Sequence, residues 1–122
     1  MAPIIDYQGK TAVVTGAATG VGAALVERLR VAGADTVVAV DLKPCSGPVD
    51  ATVIADLSDP DSVAQAISQL PDRIDALFNN AGVAATLPSA TVMAVNVLAP
   101  RRLITGLQQR MPAGSAIVNT AS

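Results

Sequence analysis

Apolar residues along this chain fall into short continuous runs, separated by segments in which they recur every three or four positions. Thr11-Ala12-Val13-Val14-Thr15 is one run, ending at Gly16, and Thr36-Val37-Val38-Ala39-Val40 is a second, ending at Asp41. Short runs without polar alternation suit strands buried on both faces. Between them Val21, Ala24, Leu25, Leu29 and Ala32 share one face of a helix that Gly33 terminates. Strand, glycine-rich turn, helix and strand make a βαβ unit.

The alternation continues. Val53-Ile54-Ala55 before Asp56 predicts a third strand, and Val63, Ala66, Ile67 and Leu70 mark the apolar face of the next helix. That helix has two available starts: Asp59 as cap with Pro60 in the first helical position, or Ser58 as cap with Asp61 three residues on. Pro71 lies just past its end. A fourth strand is predicted from Ile74 to Phe78, stopping at Asn79-Asn80-Ala81-Gly82. A helix is expected from about Met93 to Gln109, kinked at Pro100, which removes one backbone donor. Ala116-Ile117-Val118-Asn119 is the fifth strand, and loops are expected at Lys43 to Asp50 and Val83 to Ala90. Strands alternating with helices predict an α/β fold, a Rossmann-type doubly wound parallel sheet of order 3-2-1-4-5.

Composition narrows the chemistry. The 122 residues have room for one domain, residues 1–122. Eight Lys and Arg against ten Asp and Glu give a net charge of −2, which argues against nucleic acid as a partner. There is no His, so a Ser-His-Asp triad, a His base and His-containing zinc sites are excluded within these residues. The single Cys45 cannot form an internal disulfide or a cysteine-rich metal site, and no metal is expected. Cys45, beside Pro44, reads as an incidental loop residue, and Arg101, Arg102 and Arg110 as a solvated helix face. No apolar run reaches the length of a membrane span. The opening residues Met1 to Asp6 lack a basic leader, and the expected location is cytoplasmic.

The candidate chemistry lies at the strand ends. Thr15-Gly16-Ala17-Ala18-Thr19-Gly20-Val21-Gly22 follows a strand and opens a helix, where exposed amides and the positive helix end suit a pyrophosphate. Asp41 stands at the end of the second strand, 21 positions after Gly20, where a carboxylate accepts hydrogen bonds from adenosine ribose hydroxyls. Its charge would repel a 2′-phosphate, so NAD is expected over NADP, with Lys43 the one nearby cation that softens the argument. Gly9-Lys10-Thr11 has the look of a nucleoside-triphosphate loop but precedes its strand, and reads as a turn.

The Gly16, Gly20, Gly22 spacing, with Asp56, Asn79-Asn80-Ala81-Gly82 and Ile117-Val118-Asn119-Thr120-Ala121-Ser122, resembles the short-chain dehydrogenase/reductase family over nearly the whole chain. Val53 to Ser58 and the short path from Gly82 to Asn96 are similar to its bacterial 3α-hydroxysteroid dehydrogenase/carbonyl reductase and coniferyl-alcohol dehydrogenase subgroup. The resemblance implies that Asp56 and the Leu57 amide face adenine. It also implies that Asn80, Ala81 and Gly82 line the nicotinamide-side ribose. Asn96 would kink its helix and hold a water of the proton relay, and Ser122 would hydrogen-bond the substrate oxygen, an alcohol or ketone.

The family's Tyr-x-x-x-Lys helix follows the catalytic Ser, and these residues stop at Ser122; Tyr7, the only Tyr, precedes the first strand and cannot substitute. The expectation is therefore the amino-terminal part of an NAD-dependent oxidoreductase, truncated after the fifth strand and inactive alone. A natural non-catalytic dinucleotide-binding module is the alternative. The complete form is expected to be a homo-oligomer, and the fragment to self-associate through an uncovered apolar sheet edge.

Overall fold

A computed structural model describes residues 6–121 of the chain. Strands β1 (Thr11–Thr15), β2 (Thr36–Asp41), β3 (Ala51–Ile54), β4 (Ala76–Asn79) and β5 (Ala116–Asn119) form one parallel sheet in the order β3-β2-β1-β4-β5. This is the doubly wound order expected from the sequence, with its reversal beside β1. Successive residues of each strand enter opposite layers. Ala12, Val14, Val37, Ala39, Ala76 and Phe78 face helix α1 (Gly20–Val31). Val13, Val38, Val40 and Leu77 face helices α2 (Pro60–Gln69) and α4 (Ala99–Leu107), whose Val63, Ala66, Leu103 and Leu107 fill the other layer. The alanine-rich layer lets α1 lie close on the sheet. Truncating Leu103 or Leu107, both fully buried, costs about 2–5 kcal/mol.

The buried face of α1 differs from the expected one. Gly22, Val26 and Leu29 are buried and Leu25 partly so, whereas Val21 is 68% exposed and Ala24 is exposed. The apolar periodicity was satisfied equally well one position away. The helix turns Gly22 inward because only a residue without Cβ fits against the backbone of the preceding turn.

The choice of start for α2 falls to Asp59, whose Oδ1 accepts the Asp61 N–H at 3.0 Å, with Pro60 in the first position. At its other end Arg110 donates from Nη1 to the carbonyls of Ile67 (2.8 Å) and Leu70 (3.2 Å). Arg110 is thus no part of a solvated face; it closes carbonyls that the helix end leaves open.

The helix expected from Met93 begins earlier, as α3 (Ser89–Met93) directly after Pro88, which shortens the loop that starts at Val83. Its irregularity lies on a π-helical segment, Ala94–Leu98, one turn before Pro100. Pro100 has no N–H to give to the Asn96 carbonyl four residues back, and the backbone widens there, Ala99 N–H bonding Ala94 O. A 3₁₀ turn, Gln108–Arg110, follows α4. No helix among the described residues is long and apolar enough to cross a membrane.

The loop from Leu42 to Asp50 is fastened by Arg30 near the end of α1. Its Nε donates to Pro48 O at 2.6 Å, Nη1 to Ala34 O and Asp35 O, and Nη2 pairs with Asp50. Asp50 Oδ2 also accepts the Val37 N–H at 2.8 Å. That amide bond is the largest cause holding the Asp50 carboxyl below its ordinary value; burial, next in size, opposes it, and the Arg30 guanidinium adds to the lowering. A depressed native pKa stabilises the fold above the unfolded-state value and ceases to do so as pH falls through the native one. The unfolding midpoint of the wild-type chain should therefore drop between about pH 5 and pH 3 more steeply than that of Asp50→Asn, followed by circular dichroism.

β5 borders only β4 among the described residues, and its Ile117 and Val118 are 41% and 45% exposed on opposite faces. We expect the isolated chain to self-associate through this edge. Sedimentation velocity should show species heavier than monomer as concentration rises, and Ile117→Lys should shift the distribution back; a monomer at every concentration would refute the expectation.

Candidate functional site

All five strands end at one cleft of about 720 Å³, lined among others by Gly16, Asp41, Asp56, Asn80 and Thr120. Ligands of open parallel sheets bind at this position, outside the carboxyl ends where the strand order reverses. Of the residues singled out from the sequence, Gly16, Val21, Asp41, Asp56, Leu57, Asn80, Ala81, Gly82 and Asn96 line it. Gly20 and Gly22 do not reach its wall; they shape the turn behind it. Ser122 lies outside the described residues.

The turn from β1 to α1 depends on close backbone approach. Gly16 has φ +67°, and a Cβ there would fall 2.8 Å from Ala81 Cα. A Cβ on Gly22 would collide with the Gly16 carbonyl and come within 2.6 Å of Asn80 Nδ2. The helix that starts here is left open. Thr19 stands at its N-cap without a side-chain hydrogen bond, and no acidic residue occupies the first turn. α2 in the same protein is closed by Asp59 and carries Asp61. An uncapped, uncompensated helix start facing a cleft is a place for an anion.

Asp41 stands beside this turn. Its Oδ2 accepts the Ala18 N–H and its Oδ1 the Lys43 N–H, both at 3.0 Å. The carboxylate is thereby fixed to the glycine-rich turn on one side and to its own loop on the other, with lone pairs left for further donors. Cys45, expected to be idle, directs Sγ to Ala17 O at 3.3 Å and so touches the same turn from behind.

At the end of β3, Asp56 is held by its neighbours. Its Oδ1 accepts from Ser58 N at 2.9 Å and Ser58 Oγ at 2.6 Å, and its own N–H donates to Ser62 Oγ at 2.8 Å. The Ser58 hydroxyl first and the Ser58 amide second keep its carboxyl below the usual value.

The end of β4 depends on a residue the sequence reading passed over. Thr15, 1% exposed, accepts the N–H groups of both Asn80 and Ala81 at 3.0 Å and thereby ties this loop to β1. The available signal was a hydroxyl closing an otherwise apolar buried strand, where it needs a partner. Asn80 Nδ2 reaches Gly16 O at 3.4 Å, while Asn79 turns away to bond Asn119 across to β5. Asn96 engages the backbone of Val83 with both ends of its amide, accepting from N at 2.8 Å and donating to O at 3.1 Å.

A profile of the short chain dehydrogenase family matches residues 10–122. The chain belongs to the short-chain dehydrogenase/reductase family. Its sequence is similar to coniferyl-alcohol dehydrogenase of Pseudomonas sp. (strain HR199 / DSM 7063), 44% identical over 118 residues, covering 97% of this chain and 46% of that protein. A probable oxidoreductase of Streptomyces antibioticus is 36% identical, with the same coverage. Among solved structures, a short chain dehydrogenase from Burkholderia cenocepacia J2315 in complex with NADP superposes with a TM-score of 0.83 at 29% identity, over 95% of this chain and 56% of that one. A blue fluorescent protein from a metagenomic library in complex with NADPH gives 0.82 at 30% identity, over 96% and 57%. The chain spans about half the length of these relatives.

The two inner glycines should respond differently to a methyl group. Gly22→Ala meets backbone and should cost at least about 3 kcal/mol. Gly20→Ala, with nothing within 4 Å and only a positive φ of 59°, should cost about 1–2 kcal/mol. Urea unfolding of the two variants separates these values.

Proposed function

We propose that this chain is the coenzyme-binding portion of an NAD-dependent oxidoreductase that interconverts an alcohol or hydroxysteroid and its ketone. The observation that carries the reading is Asp41, its carboxylate anchored by the Ala18 and Lys43 amides next to an uncapped helix start. A ribose diol can donate to that carboxylate, whereas a 2′-phosphate would bring a like charge against it. Several similar structures carry NADPH or NADP, so the preference for NAD rests on this chain's own acid.

The remaining residues fit such a coenzyme. The open first turn of α1, reaching the cleft at Val21, takes the pyrophosphate, with Gly20 and Gly22 shaping its approach. Asp56 and the Leu57 amide take the adenine, and Asn80, Ala81 and Gly82 run beside the second ribose. The bound coenzyme supplies or accepts hydride at its nicotinamide. Both ends of the Asn96 amide are committed to Val83, so the place for a relay water is the Asn96 main-chain carbonyl, which Pro100 leaves without its α-helical donor. Ser122 is assigned to the substrate oxygen, and the proton donor to the Tyr of a Tyr-x-x-x-Lys helix that these 122 residues do not contain. The similarity to coniferyl-alcohol dehydrogenase supports an alcohol as the reduced substrate.

Fluorescence titration tests the reading. NADH should bind more tightly than NADPH, and Asp41→Ala should weaken NADH by roughly ten- to hundredfold while narrowing the gap, since it removes hydrogen bonds to a charged group. The purified chain should not oxidise NADH with small ketones. Equal affinity for both coenzymes, an indifferent Asp41→Ala or turnover by this chain would contradict it.

A further inference from the structure

The corner after β3 holds a complementary donor and acceptor whose alignment depends on a residue with no assigned role. Asp56 N–H is consumed by Ser62 Oγ, and Asp56 Oδ1 by both donors of Ser58. Asp56 Oδ2 and the neighbouring Leu57 N–H have no hydrogen-bond partner among the described residues, and both residues line the cleft. An acceptor beside a donor matches a 6-aminopurine, whose exocyclic amine donates and whose N1 accepts. Hypoxanthine presents the opposite pair, a C6 carbonyl and an N1–H, and would set acceptor against acceptor and donor against donor.

We propose that Ser58 is a positioning residue which, by engaging Asp56 Oδ1 with its amide and hydroxyl, commits Oδ2 to read the amine of adenine and so makes the cleft reject 6-oxopurine dinucleotides. This deepens the coenzyme reading above and rests on it. A hydroxyl bond of 2.6 Å to a carboxylate is among the strong hydrogen bonds, and together with the shared oxygen it removes the freedom of the carboxylate to rotate. Depression of the Asp56 pKa agrees with the same two donors. Ser58 itself is absent from the cleft wall, so it acts through Asp56.

The test is fluorescence titration of the chain with NADH and with reduced nicotinamide hypoxanthine dinucleotide. The wild type should favour NADH by roughly tenfold or more, as expected for a site that would otherwise leave polar groups unpaired. Ser58→Ala should weaken NADH, leave the hypoxanthine form unchanged and so shrink the preference, and Ser58→Thr should restore it. A second arm uses Asp56→Asn. The Ser58 N–H and O–H can donate only to the amide oxygen, so the NH₂ takes the Oδ2 place; affinity should swing toward the hypoxanthine form, and adding Ser58→Ala should erase the swing by freeing the amide to turn.

Equal weakening of both dinucleotides by Ser58→Ala would make Ser58 a loop-building residue and overturn the proposal, as would an Asp56→Asn swing indifferent to Ser58. If Ser58→Ala does not fold, the comparison of wild type, Ser58→Thr and Asp56→Asn decides: Ser58→Thr retaining the preference and Asp56→Asn losing it upholds the proposal, and any other pattern overturns it. Binding of neither dinucleotide to the folded wild type would instead remove the coenzyme reading itself.

Discussion

The architecture of this cleft depends on two pieces of backbone lying almost on top of one another. Gly22, in the first turn of α1, is packed against the carbonyl of Gly16, and Gly16 is packed against Ala81 at the end of β4. These contacts bring the start of a helix, the end of its own strand and the end of a strand more than sixty residues away in sequence to one place. No side chain could fill the space between them without pushing them apart. The α1 amides face the cleft because the helix can come this close, and Asp41 can reach the Ala18 amide because the intervening turn is held against β1.

Around that contact, polar groups are arranged to fix loops to the sheet. Thr15 takes two amides of the β4 loop, Asn96 takes the backbone of Val83, and Ser58 and Ser62 take Asp56. Each hydroxyl or amide joins one strand end or helix to the next. The parallel sheet supplies the frame, and these bonds set the position of each loop on it. At the other end of α1, Arg30 does the same for the loop that follows β2.

The frame was largely legible in the sequence, because uninterrupted apolar runs ending at Gly16, Asp41 and Asn79 leave few alternatives to buried parallel strands. Strand order followed from the alternation of strands with helices and from right-handed crossovers with one reversal. Periodicity failed where size mattered more than hydrophobicity. Val21 and Ala24 fitted an apolar stripe, yet the buried position was Gly22, whose value lies in what it lacks. The start of the third helix was also misread, since Ser89 to Val92 carries no strong apolar period and the π segment around Asn96 blurs the repeat. The bonding partners of Thr15 and Ser58 were invisible for a related reason. A hydroxyl is informative only once its partner is known, and both partners come from chain geometry.

Residues at or just past the end of every strand line the same cleft, and the central pairing joins Ala12 to Ala76 through long intervening excursions. Binding competence therefore cannot accumulate piecemeal; a partly folded intermediate with β1 and β2 in place but β4 undocked has no pocket to offer. A dinucleotide that recognises only the assembled sheet draws the whole folding equilibrium toward itself by mass action. On the proposed coenzyme reading, that linkage would tie coenzyme supply to the survival of the polypeptide as well as to its chemistry.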